Sequence, residues 1–242
     1  MEAEEDKIVE HVKEAVHSLT DKNKKWSAKI GSFIWEILVI VIAVNLTIWF
    51  HNWNDKRHER GLEKEFLVDI REDLMTDTAM IKNCINFYTN KPLVYYDSVM
   101  SQLNSNKINA EYIDSCSFQL TNNMIVGYNY AIYQSFSSAG NLRLIENRKL
   151  LGDIVSLYSM GFPGSEHRNL DLYSRRREGF DKYIGNKIGL TGKLSTIILQ
   201  PEVQYLIQWS AIATEEMNKQ NEELLNQVVA VINEIDQELK KI

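Results

Sequence analysis

The chain has 242 residues, of which 44% are hydrophobic and 25% charged, and its formal net charge is −6. That length allows one large domain or two small ones, and the apolar share suits a folded chain rather than a disordered one. A protein whose surface is coated in nucleic acid is normally basic, so a pI near 5.5 argues against that class. With three prolines and eleven glycines, breakers are sparse and long helices are favoured.

Residues 2–20 read as an amphipathic helix, with Ile8, Val12, Ala15 and Leu19 on one stripe, inside an N-terminal segment taken as 1–25. Residues 26–54 read as a membrane-spanning helix. Ile30 to Phe50 would extend about 31 Å at 1.5 Å per residue, which matches a hydrocarbon core of roughly 30 Å. Trp26 and Trp35 stand toward one end and Trp49 and Trp53 toward the other, where indoles favour the interfaces. Mostly polar residues precede the apolar run and "WFHNWND" follows it, so a retained anchor is expected rather than a cleaved signal peptide. Lys22, Lys24, Lys25 and Lys29 on one side balance Lys56, Arg57, Arg60 and Lys64 on the other. Charge alone therefore assigns no orientation.

Residues 55–242 read as a helical soluble domain. After the span, Leu67, Ile70, Leu74, Ile81, Cys84 and Tyr88 keep a three-four spacing that Asp77 interrupts. No proline occurs before Pro92, which predicts one helix from the span into the soluble region. Short helices are expected near 92–104 and 110–121. In the following stretch Gly140 and Asn141 mark a helix stop and restart. A further helix is expected over 166–184, then a loop "IGNKIGLTGK", then a last helix from Pro201. In that helix Leu225, Val228, Ile232, Ile235, Leu239 and Ile242 form a heptad seam. No stretch alternates with period two, so the fold class is all-α. Cys84 and Cys116 read as buried thiols or as one disulfide, with thiols favoured.

Polar residues inside the span are the most informative feature. A charged carboxylate at the bilayer centre costs roughly 2.5–3.5 kcal/mol on insertion scales, so Glu36 calls for a headgroup, a partner or a water-filled path. At 100° per residue Ser32, Glu36, Ala43 and Thr47 share one stripe, whereas Asn45 projects from the opposite face. The most economical arrangement turns that stripe toward the centre of an oligomer, with Asn45 bonding a neighbouring helix. The blander reading lets Glu36 snorkel to the headgroups.

Enzyme signals are weak. "GNKIGLTGK" fails as a phosphate loop because Lys187 and Leu194 stand where a glycine and a Ser or Thr are needed. His11, His17, His51, His58 and His167 have no partners at metal spacing, and no HExxH, CxxC or GxSxG occurs. No cofactor and no catalytic role are expected. The basic stretch Arg168, Arg175, Arg176, Arg177, Lys182, Lys187 and Lys193 outweighs Glu166, Asp171, Glu178 and Asp181. Arginine forks suit phosphates, and Tyr173 and Phe180 offer faces to stack a base, so an anionic ligand such as a nucleotide or short oligonucleotide is a candidate. The bland alternative is a solvated helix face, and lipid headgroups are a third.

The segment "WEILVIVIAVNLTIWFHNWND" resembles the signature of a bacterial single-span membrane family with a "GEI" start, an apolar run and an "NNWN" exit. Its members also carry a later element to which Tyr133, Ser138, Gly140, Leu142, Ile145, Asn147, Leu150 and Tyr158 are similar. Trp35 departs from the glycine before the glutamate, and Asn45 from a small or apolar residue. The resemblance implies a bacterial plasma membrane and no established activity. The layout is similar to single-span effectors of antiphage defence such as that of the Hailong system.

Together these features lead to an expected homo-oligomer, a tetramer or larger, in membrane lipid. Its soluble helices would control ion passage and face the cytoplasm, where a cytoplasmic signal would reach them. The alternative is a non-conducting envelope scaffold paired through the C-terminal heptads.

Overall fold

A computed structural model describes residues 2–124, 126–180, 182 and 192–242, with the backbone alone for 2–32, 36 and 121. The stripe assigned to Ile8–Leu19 and the side chains of Ser32 and Glu36 thus lie outside the described residues, as does most of the 184–193 loop. Every described element is a helix, and the fold is all-α: α1 (Glu2–Asn90), α2 (Pro92–Ser105), α3 (Ala110–Thr121), α4 (Ala131–Ser138), α5 (Arg148–Ser156), α6 (Phe162–Phe180) and α7 (Pro201–Leu239). The chain divides into two compact units, Met1–Glu59 and Arg60–Ile242.

In the first unit α1 is long and apolar enough to cross a membrane. Its most apolar window has a mean hydropathy of 2.3, and none of it is buried. At the Trp53 end the rings of Phe50 and Trp53 lie 5.6 Å apart, and the Arg57 guanidinium stands over the Trp53 ring at 5.7 Å. That is the amphipathic aromatic cluster expected where apolar and wet surroundings meet.

The second unit is built around two apolar clusters that share α7. One joins Leu67, Ile70 and Leu74 of α1 to Leu150 and Ile154 of α5 and to Val228 and Ile235 of α7. The other joins Tyr96 and Val99 of α2, Ile113 and Cys116 of α3, and Val203 and Ile207 of α7. Trp209 packs against both. Cys84 and Cys116 are free, buried thiols in different clusters, and burial pushes the Cys84 thiol up to about 12.

Three details refine the sequence expectations. Asp77 does not leave the α1 stripe but lies on it, 1% exposed, between Leu74 and Ile81. The helix expected from 166 begins at Phe162, because a π-helical turn over Leu157–Gly161 joins α5 to α6 past Pro163. The wider turn lets the Phe162 N–H reach the Leu157 carbonyl, while Pro163, with no N–H to place, occupies the first turn of α6. The α7 heptad seam is taken up within the chain: Val228 and Ile235 are fully buried, and Leu225, Ile232, Leu239 and Ile242 pack against the same cluster. A three-four rhythm specifies an apolar stripe without specifying whose helix covers it.

Gly140 ends α4 at φ 72°, where a side chain is strained, and a 3₁₀ turn over Asn141–Leu144 follows. Gly179 lets α6 approach α7 closely, since a Cβ there would stand 2.6 Å from Leu206 Cδ1.

Candidate functional site

The structure disperses the basic residues of α6. Arg176 turns into the core at 2% exposure, and its Nη2 donates to the carbonyl oxygens of Leu120 at 2.5 Å and Asn122 at 3.3 Å. Arg175 is exposed, pairs with Asp171 at 3.0 Å, and lines a cleft of about 560 Å³ with Pro201, Glu202, Tyr205, Leu206 and Trp209. Arg168 lines a different cleft of about 380 Å³ with Gln220, Glu223 and Gln227. Its Cα stands about 10 Å from that of Arg175 along the helix at 1.5 Å per residue. Arg177 Nη1 donates to the Tyr173 hydroxyl at 3.1 Å, and Lys182 is exposed.

Of the anion-ligand candidates Arg168, Arg175, Arg176, Arg177 and Lys182, Arg176 is thus withdrawn from the surface, while Arg168 and Arg175 line separate clefts. Successive helical residues diverge by 100°, and the middle arginine of the triplet falls on the buried face. Phe180 is 4% exposed in the core and offers no stacking face, whereas Tyr205 and Trp209 beside Arg175 do.

The buried polar centre of the second unit was not singled out from the sequence. Asp77 Oδ2, Asp73 Oδ2 and the Tyr158 hydroxyl are buried without a hydrogen-bond partner. Burial raises Asp77 to about 6, the Asn129 backbone N–H opposes the rise, and the charges of Asp73 and Glu166 add to it. Burial also raises Asp73, whose Oδ1 accepts from Asn129 Nδ2 at 2.9 Å. Glu166 accepts from the Tyr128 N–H at 3.3 Å and from the Tyr130 hydroxyl at 3.1 Å. Tyr158 and Tyr130 are both pushed upward, first by burial and then by the neighbouring carboxylates. Among the described residues these acids form no metal-binding group.

Beside them a polar ladder ties three helices together. Ser165 Oγ donates to Asn221 Oδ1 at 3.3 Å, so its 2.9 Å contact with the Tyr128 hydroxyl is one in which the tyrosine donates. Asn221 Nδ2 reaches Cys84 Sγ at 3.8 Å. A polar residue on an otherwise apolar three-four stripe, as at Asp77, is the sequence signal that marks this centre.

In the apolar segment Asn45 Nδ2 donates to the Val41 carbonyl at 2.7 Å and Thr47 Oγ1 to the Ala43 carbonyl at 2.8 Å. Both side chains spend a donor on their own helix, which lowers the cost of placing them in hydrocarbon. The amide of Asn45 retains its Oδ1 and a second N–H for another partner. Comparison with protein-family models, curated proteins and solved structures gives no match.

Proposed function

We propose that the chain is a single-span membrane effector that works as a homo-oligomer in a bacterial plasma membrane, its helical soluble unit controlling ion passage through a ring of spans. One observation carries the reading: a helix of membrane length, covered by no part of its own chain, bears polar side chains. Hydrocarbon offers no partner for the rest of the Asn45 amide or for the Glu36 carboxyl. Copies of the same helix supply such partners, and Asn45 and the Ser32–Glu36–Thr47 stripe lie on opposite faces, so one face can line a path while the other holds the ring. Four or more copies are needed to surround even a narrow path.

α1 supplies both the apolar segment and the first core helix, a continuity that supports a mechanical role. The controlling ligand is read as anionic, with Arg175, Tyr205 and Trp209 as its contacts. The layout also supports a place among effectors of antiphage defence. The scaffold alternative would have to pair through what the chain leaves open of the α7 seam, where Val228 and Ile235 are buried and Leu225, Ile232, Leu239 and Ile242 are partly covered.

Expression in bacteria is expected to depolarise the membrane when the effector is activated. Glu36→Gln is expected to change the ion permeability, and Asn45→Leu to lower the subunit number seen on cross-linking. A strictly monomeric detergent-solubilised protein, or an unchanged membrane potential in every condition, would defeat the proposal.

A further inference from the structure

The cleft of about 560 Å³ that α6 and α7 line together owes its base to a glycine. A Cβ at Gly179 would stand 2.6 Å from Leu206 Cδ1, so only glycine lets the Leu206 side chain settle against α6. Leu206 shares the cleft with Glu202, Tyr205 and Trp209, which follow steps of three and four and so lie on one face of α7. Arg175 of α6 joins them. Clefts of roughly 300–1,000 Å³ with an apolar lining and a few polar groups are the usual size for a small organic ligand.

The polar groups of this lining are uncommitted. Arg175 bonds Asp171 through Nε, which leaves its two Nη groups to donate elsewhere. The Glu202 carboxylate, the Tyr205 hydroxyl and the Trp209 N–H make no hydrogen bond or ion pair among the described residues. Tyr205 is 70% exposed, and an aromatic ring left open beside a second one offers a stacking platform. An acid in the first turn of α7 also gains from the positive end of that helix, but this accounts for Glu202 alone and not for the aromatic pair and the arginine beside it.

Charge limits what the cleft can take. Arg175 is its one cation and is already shared with Asp171, while Glu202 stands in the same lining. One phosphate is thus the capacity, because each further phosphate of a triphosphate or a strand would meet an acid. Glu202 adds a choice of base. A carboxylate accepts hydrogen bonds and donates none, so it favours a ring edge that presents donors. Guanine carries two donors side by side, at N1 and on the exocyclic amine, which a carboxylate takes in parallel. Adenine sets an acceptor next to its one amino group.

We propose that this cleft binds a guanine mononucleotide, with the base stacked on Tyr205 and Trp209, its donor edge on Glu202 and its phosphate on the Arg175 Nη groups. The assignment rests on the reading of the cleft as the site of the anionic ligand and narrows that ligand to a single nucleotide.

Calorimetric titration of the detergent-solubilised full chain tests it, with GMP, AMP, guanosine, GTP and a short single strand of thymidylate. GMP is expected to bind about tenfold more tightly than AMP, through the paired bonds to Glu202, and about tenfold more tightly than guanosine, through Arg175. GTP is expected to bind no more tightly than GMP. Glu202→Gln is expected to erase the preference over AMP and keep the one over guanosine, and Arg175→Gln to do the reverse. Tyr205→Ala, at an exposed position, is expected to weaken GMP at least about fivefold through lost stacking. Equal affinities for GMP and AMP, tighter binding of GTP, or preferences that survive both substitutions overturn the mononucleotide. Binding of the strand alone, lost in Arg175→Gln, overturns it as well but leaves the anionic reading of the cleft standing, whereas binding of none of these overturns both.

Discussion

Phe162→Ala is expected to lower the stability of the second unit by about 3–5 kcal/mol, the usual cost of deleting a fully buried aromatic ring. The Phe162 ring is 0% exposed. It stacks on Tyr128 at 4.2 Å between centroids and meets Tyr158 edge-on at 5.1 Å and Tyr130 at 6.3 Å. Each pair adds roughly 0.5–1.5 kcal/mol beyond area burial, which places the loss toward the upper end of the range. The ring also sits where the π-helical turn gives way to α6, so the cavity left by alanine opens beside the Tyr158 ring. At about 2–4 °C per kcal/mol for a domain of this size, the thermal midpoint of the solubilised full chain is expected to fall by roughly 6–20 °C. Phe162→Leu, which keeps most of the volume, is expected to lose about half as much. A fall below about 2 °C for the alanine variant would mean that these rings do not form a packed core.

The helical architecture was largely legible because its determinants are local. Pro92 and Pro201 open α2 and α7, where a missing N–H costs nothing, and Gly140 closes α4 with a positive φ that its residue type permits. The core residues Leu67, Ile70, Leu74, Ile81, Cys84 and Tyr88 are those of the three-four stripe. Periodicity says nothing about what covers a stripe: the α7 seam that suggested a second chain packs Val228 and Ile235 fully, and its other members partly, against the chain's own core. Boundaries are harder to read where the backbone widens: the helix expected from 166 starts at Phe162, because one π-helical turn carries the chain from α5 into it.

The candidate site was legible only in its residue types. Three adjacent arginines declare positive charge, but their helix assigns one to a cleft, one to the core and one to the surface, and the assignment depends on where α3 ends. The acid–tyrosine centre gathers α1, the segment between α3 and α4, the π-helical turn and α6, from positions as distant as Asp73 and Glu166. No window of sequence contains it.

Asp77→Asn is expected to stabilise the fold at pH 8 and to do little at pH 4. The carboxyl sits on the core-facing stripe of α1 with one oxygen unpartnered, and its folded-state pKa is about 6 against an ordinary 3.8. Between those values the folded chain keeps a proton that the unfolded chain has released. Stability therefore falls as pH rises through that window, and the loss is complete above about 6. At 1.36 kcal/mol per pH unit the charge costs the fold about 3 kcal/mol at neutral pH.

Facing Asp77 are Asp73 on its own helix, Glu166 on α6, and the hydroxyls of Tyr130 and Tyr158; none of them is cationic. Asparagine keeps the acceptor for the Asn129 N–H and replaces the orphaned oxygen with a donor for the electron-rich groups around it. The expected gain is roughly 6–12 °C in midpoint at pH 8, shrinking toward zero at pH 4, with Glu72→Gln on the exposed face of α1 showing no such trend. A pH-independent difference, or a less stable variant at pH 8, would remove the buried charge from the account. The expected pattern would instead identify Asp77 as a destabilising charge kept on the helix that also bears the apolar segment. A proton that neutralises it stabilises the packing of α1 against the core by about that energy.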